Sequence, residues 1–109
     1  MNWIPLQSEQ QLSELRERSA QRPQVIFKHS TRCGTSQIVR NRLERTELPP
    51  TIDFYFLDLI AYRAISDKIA EDFDVWHESP QVLVIRNGKC IYDESHWAIK
   101  MDALLAYSA

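Results

Sequence analysis

A cysteine stands where an apolar strand hands over to a helix, and few chain architectures provide that junction. Gln24-Val25-Ile26-Phe27-Lys28-His29 reads as a short interior strand, apolar on both sides and so covered on both faces. Ser30-Thr31-Arg32-Cys33-Gly34-Thr35-Ser36 is a tight polar turn that opens a helix running to about Glu44 or Arg45, with Ile38 and Leu43 on its apolar side. A thiolate at a helix start faces unpaired backbone N–H groups and the positive end of the macrodipole. Arg32 is adjacent, and Lys28 and His29 lie just upstream, so the sequence predicts an activated, nucleophilic Cys33.

Around this junction the elements alternate. Trp3-Ile4-Pro5-Leu6 is an apolar lead, and Ser8 with Gln11 has the capping-box spacing for a helix carrying Leu12 and Leu15, which ends between Arg18 and Ala20. After the Cys33 helix, Pro49-Pro50 mark a linker that helix cannot cross. Aromatic-rich Ile52 to Leu59 reads as a second strand, and Tyr62, Ile65, Ile69 and Phe73 form the core stripe of a third helix. Gln81 to Arg86 is a nearly all-apolar strand. Asn87-Gly88 predicts a two-residue turn into an antiparallel partner, Lys89 to Asp93. Ser95 then caps a last helix from His96 to about Tyr107.

The predicted order is α-β-α-β-α-β-β-α. Two successive strand-helix-strand units imply parallel pairings, and the terminal hairpin adds an antiparallel edge. The expectation is an α/β fold of thioredoxin-like architecture: a four-stranded mixed sheet with helices on both faces, in a single domain over residues 1–109.

Bulk properties narrow the function. A net charge of −2 gives no global basic field for nucleic acid or an anionic membrane. Arg32, Arg40, Arg42 and Arg45 cluster near the Cys33 helix, and apart from Arg32 they read as a solvated helix face. No apolar run approaches the roughly 20 residues of a spanning helix, and the N-terminus lacks a signal-peptide layout, so the chain is expected to be cytoplasmic. Cys33 and Cys90 are too few for a disulfide framework, and no ligand spacing around Cys33 suggests a metal.

Cys33-Gly34-Thr35-Ser36 at a helix start, with Ser79-Pro80 entering the central strand, resembles the thioredoxin and glutaredoxin superfamily. The chain departs from its dithiol C-x-x-C pattern by having Ser36 at the second cysteine position. Phe27 to Cys33, Tyr55 to Leu59, His77 to Leu83 and Ser95-His96-Trp97 together resemble the monothiol bacilliredoxins, the YtxJ-like proteins of the bacillithiol redox system, over nearly the whole chain.

That resemblance implies a thiol-disulfide oxidoreductase in which Cys33 attacks protein mixed disulfides and takes up bacillithiol. Bacillithiol is then a co-substrate, with no tightly bound cofactor, and bacillithiolated proteins are the partners of a monomer. Arg32 and Ser36 are expected to stabilise the thiolate, Ser36 by donating a hydrogen bond. The superfamily implies a cis Pro80, which sets the Ser79 backbone beside Cys33. Thr31, Ser79, Pro80, Ser95 and His96 are expected to bind substrate, the last two as a helix start suited to the malate carboxylates of bacillithiol. Two rival readings are an iron-sulfur carrier of monothiol glutaredoxin type and a non-catalytic thioredoxin-fold adaptor. Cys90 is no resolving cysteine: pairing with Ile85 leaves it five residues from Pro80, on the order of 16 Å away, so it reads as a small buried residue.

Overall fold

The strand ahead of Cys33 lies in the middle of a single sheet. The computed structural model describes residues 1–108, which form β1 (Ile4–Pro5), α1 (Glu9–Arg18), β2 (Gln24–His29), α2 (Gly34–Glu44), β3 (Asp53–Asp58), α3 (Arg63–Asp72), β4 (Gln81–Arg86), β5 (Lys89–Ser95), a 3-10 turn (His96–Ala98) and α4 (Met101–Leu105). The strand order is β1-β3-β2-β4-β5. Every residue of β2 is buried, as its apolar run required.

Alternation along β2 divides the core. Ile26 points with Leu12, Leu15, Tyr55, Ile65, Ile69 and Leu83 into the layer beneath α1 and α3. Val25 and Phe27 point the other way, with Val39, Leu43, Val82, Val84, Ile99 and Leu104, beneath α2 and α4. Each large apolar side chain fully removed from water contributes roughly 1.5–3 kcal/mol. Two layers on one sheet therefore fix β2, and with it the start of α2.

Local signals act where expected. Ser8 Oγ accepts from the Gln11 N–H and caps α1. Asn87 and Gly88 both have positive φ, 54° and 76°, and Arg86 lies opposite Lys89.

Four expectations are corrected. The sheet has five strands rather than four, because Ile4–Pro5 pairs in parallel with β3, Ile4 opposite Tyr55. A two-residue edge tolerates a proline that an interior strand would not. Second, only β2-α2-β3 is a parallel unit. β4 runs antiparallel to β2, with Phe27 opposite Val82, since the Asp74–Ser79 segment doubles back to the sheet end that β3 left. An apolar run reports that both faces are covered and says nothing of direction. Third, the last helix is a 3-10 turn followed by the five residues of α4, with no side-chain cap from Ser95. Fourth, Ile38 is exposed, and α2 buries Ser36, Val39 and Leu43 instead.

Candidate active site at the end of the central strand

Sheet register gathers the predicted site residues. Lys28 lies opposite Gln81, which on its other edge lies opposite Ser95. One residue further on, His29, Pro80 and His96 come level, and the His96 N–H donates to the Pro80 carbonyl at 2.9 Å. The Ser30–Cys33 turn, the Ser79–Pro80 entry to β4 and the Ser95–His96 exit from β5 therefore share one end of the sheet. The Ser79–Pro80 peptide bond is cis, and α2 packs against the 96–98 turn.

Cys33 is the N-cap of α2, in extended conformation (φ −111°, ψ 116°) and only half-buried. Its N–H donates to Ser30 O at 3.2 Å, and its carbonyl accepts from the Gln37 N–H at 3.2 Å. The turn is thus closed on one side while the helix begins on the other. The amides of Gly34, Thr35 and Ser36 occupy the first turn, where an α-helix supplies no acceptor. Thr31 and Arg32 are exposed. Open space surrounds the position a Gly34 side chain would occupy, so the cysteine is approachable from that side.

Ser36 does not serve Cys33. It is fully buried, and its Oγ accepts from the Ser30 N–H at 3.1 Å and lies 2.7 Å from His29 Nδ1. Burial, then the charge of Arg40, hold the His29 imidazole below its usual range, so it is neutral at pH 7. Ser36 Oγ and His29 Nδ1 are thus hydrogen-bonded to each other inside the turn. Ser36 is a brace inside the turn, and its expected bond to the thiolate is absent among the described residues.

The expected electropositive surround also changes. Lys28 is fully buried and donates to the Ser66 carbonyl at 3.1 Å beneath α3. His29 packs against Phe56 with ring centroids 5.2 Å apart, and the Arg40 guanidinium lies 4.5 Å from the centre of that same ring. Arg42 Nη2 donates to Ile99 O. What remains beside Cys33 is Arg32 and the helix start.

Ser95 and His96 reach the site end without the helix that would have made them an anion site. His96 has φ of 57° and its Nε2 lies 3.0 Å from Glu78 Oε2, so a carboxylate of this chain already occupies it. Glu78 and His77, which carried part of the resemblance but were given no role from the sequence, are site-end residues. Their signal was position, immediately before Ser79-Pro80. Cys90, expected to be buried, is half-buried and free; its Sγ donates to Tyr92 O at 3.3 Å, and burial pushes its thiol up to about 11.

This sheet order, the helix-start cysteine and the cis-proline at the same sheet end define the thioredoxin-fold class of thiol redox proteins. Among solved structures, the chain is similar to a protein assigned as an oxidoreductase with a thioredoxin fold, at 27% identity and a TM-score of 0.83, covering 97% of this chain and 93% of the other. It shares its fold with the thioredoxin of Malassezia sympodialis (18% identity, TM-score 0.78, 99% and 92% covered) and that of Schistosoma mansoni (17%, 0.75, 97% and 93%). Residues 4–104 match the monothiol bacilliredoxin BrxC family, and the chain belongs to that family.

Proposed function

We propose that this protein is a monothiol oxidoreductase that removes bacillithiol from mixed disulfides on proteins. The observation that carries the reading is a half-exposed Cys33 at the start of α2, with a buried, inward-turned Ser36 where a resolving thiol would stand. Cys33 S⁻ attacks the bacillithiol sulfur, the protein–bacillithiol S–S bond breaks, and the protein thiolate leaves and takes a proton from water. The product is Cys33 disulfide-bonded to bacillithiol, with no net oxidation or reduction. A second molecule of low-molecular-weight thiol then attacks that bond and restores Cys33.

In this reading Thr31 and Arg32 flank the incoming disulfide, Arg32 offering its charge to the malate carboxylates. The Ser79 backbone beside Pro80 offers N–H and C=O groups to the extended substrate, and Ser95 and His96 border it. Bacillithiol is a co-substrate, and the protein works as a monomer.

Intact mass spectrometry after mixing the protein with a bacillithiolated and a glutathionylated model protein tests this. The expected result is a bacillithiol adduct on wild type, none on Cys33→Ser, and little transfer from glutathione. No adduct from either donor would sink the oxidoreductase reading, and equal transfer from both would sink the thiol specificity.

A further inference from the structure

Two fully buried polar side chains stand next to each other on the α3 face of the sheet, beside the apolar cluster of Ile26, Ile65, Ile69 and Leu83. Lys28 on β2 and Gln81 on β4 are directly opposite each other in the antiparallel ladder, exposed by 0% and 1%. Both reach the same stretch of chain. Gln81 Nε2 donates to the Trp76 carbonyl at 2.9 Å, while Lys28 Nζ donates to Ser66 O at 3.1 Å and lies 3.4 Å from His77 Nδ1. Ser66 Oγ also lies 3.4 Å from that nitrogen. Three residues beyond His77 comes Pro80, at the same sheet end as Cys33.

Burying an ammonium carries a desolvation cost that a methionine or leucine at the same place would not. Here its hydrogens go to α3 and to the segment that carries Ser79, an otherwise exposed run from Trp76 to Glu78. We propose that Lys28 and His77 are positioning residues: the Lys28 ammonium, held by Ser66 O and His77 Nδ1, fastens the Asp74–Ser79 segment to the sheet and so sets where the Ser79 backbone meets the substrate of Cys33. Gln81 is the second fastening. This deepens the oxidoreductase reading above and rests on it for the word substrate; the fastening itself does not.

The contact needs an unprotonated Nδ1. Groups facing the pair are Asp67 and Arg63 from α3 and Glu78 from the segment itself, with neutral Gln81 from β4. Burial, then Lys28, then Arg63 hold the His77 imidazole below its usual 6.5, against the opposing charges of Asp67 and Glu78. At pH 7 the ring is therefore neutral, and Nδ1 accepts from Lys28 in the tautomer that carries its proton on Nε2. When it takes up a proton in acid, it meets the Lys28 charge and the fastening opens.

The test uses wild type, Lys28→Met, His77→Ala and His77→Asn, whose Oδ1 retains an acceptor near the position of Nδ1. Hydrogen exchange of residues 74–79 at pH 7 reads the fastening directly, and transfer kinetics from a bacillithiolated model protein read its consequence. Exchange there is expected to quicken about tenfold in Lys28→Met and His77→Ala, with KM rising about tenfold and kcat little changed. His77→Asn should restore both, and should abolish the rise in KM expected of wild type as the pH falls well below 6.5. Unchanged exchange in Lys28→Met and His77→Ala would overturn the proposal, as would an Asn variant that behaves like Ala. If wild type transfers nothing, the oxidoreductase reading falls while the exchange measurement still decides the fastening.

Discussion

At the scale of single residues, the two cysteines differ by environment rather than by type. Cys33 caps a helix and is approachable, whereas burial holds the Cys90 thiol at about 11, and its sulfur donates to a backbone carbonyl. At pH 7 the Cys90 thiolate fraction is on the order of 10⁻⁴. Iodoacetamide at that pH, followed by peptide mapping, should label Cys33 and leave Cys90 untouched over the same period; comparable rates would contradict the assignment of Cys33 as the reactive thiol. Lys28 makes a prediction about stability against pH. Burial lowers it to about 8 from 10.5, so the folded state disfavours the charged form. Between those values the unfolded chain holds a proton that the folded chain has lost, and stability rises with pH, by on the order of 3 kcal/mol in full. Urea unfolding of wild type and Lys28→Met at pH 7.5 and pH 10 should show the wild type gaining most of that amount on the variant, and a constant difference would mean that Lys28 is not desolvated. A lysine inside an apolar run is visible in the sequence. Its partner is not, because Ser66 lies 38 residues away and nothing in a one-dimensional pattern pairs them.

At the scale of elements, what is legible follows the reach of the signal. Ser8 capping, the Asn87-Gly88 turn and the pairing of Ile85 with Cys90 are decided within a few residues, and the structure has them as the sequence predicts. The Ile4–Pro5 strand depends on an edge of β3 nearly half the chain away, and its two residues carry no period of their own. The last helix reads as one because Trp97, Met101, Leu104 and Leu105 are spaced as a helical face. Instead Ile99 is buried in extended conformation and splits the segment in two. The hairpin between β4 and β5 depends on a further tertiary contact. Ser19, fully buried at the end of α1, accepts from the Gly88 N–H through its Oγ at 2.8 Å, and its carbonyl accepts from Asn87 N–H and Arg86 Nη1. Ser19→Ala should therefore lower stability by about 1–3 kcal/mol in denaturant, by leaving an amide without its acceptor. The transfer rate of Cys33 should not change, since β4 runs from the site at Gln81 to the hairpin at Arg86. A stability loss smaller than about 0.5 kcal/mol would mean that water replaces the hydroxyl.

At the scale of the whole molecule, the sheet has a redox end and a structural end, and the redox end is built for half of a dithiol cycle. The cysteine, its helix and the cis-proline occupy one end of a sheet whose fold is shared with the thioredoxins of Malassezia sympodialis and Schistosoma mansoni. The second thiol of a C-x-x-C pair is missing, and its position is taken by Ser36, which braces the Ser30–Cys33 turn from within. Position 36 is one helical turn past Cys33, so a thiol there would lie within local reach of a disulfide on Cys33. Ser36→Cys is accordingly expected to convert the end point of the reaction. Wild type mixed with a bacillithiolated protein should retain the bacillithiol adduct until free thiol is added. The variant should expel it and appear, by intact mass, two hydrogens lighter than its reduced form, with Cys33 disulfide-bonded to the introduced thiol. Retention of the adduct by the variant would show that more than one atom separates the two cycles: the His29–Ser36 brace would then hold position 36 turned inward whatever stands there, and the monothiol character would belong to the turn as a whole.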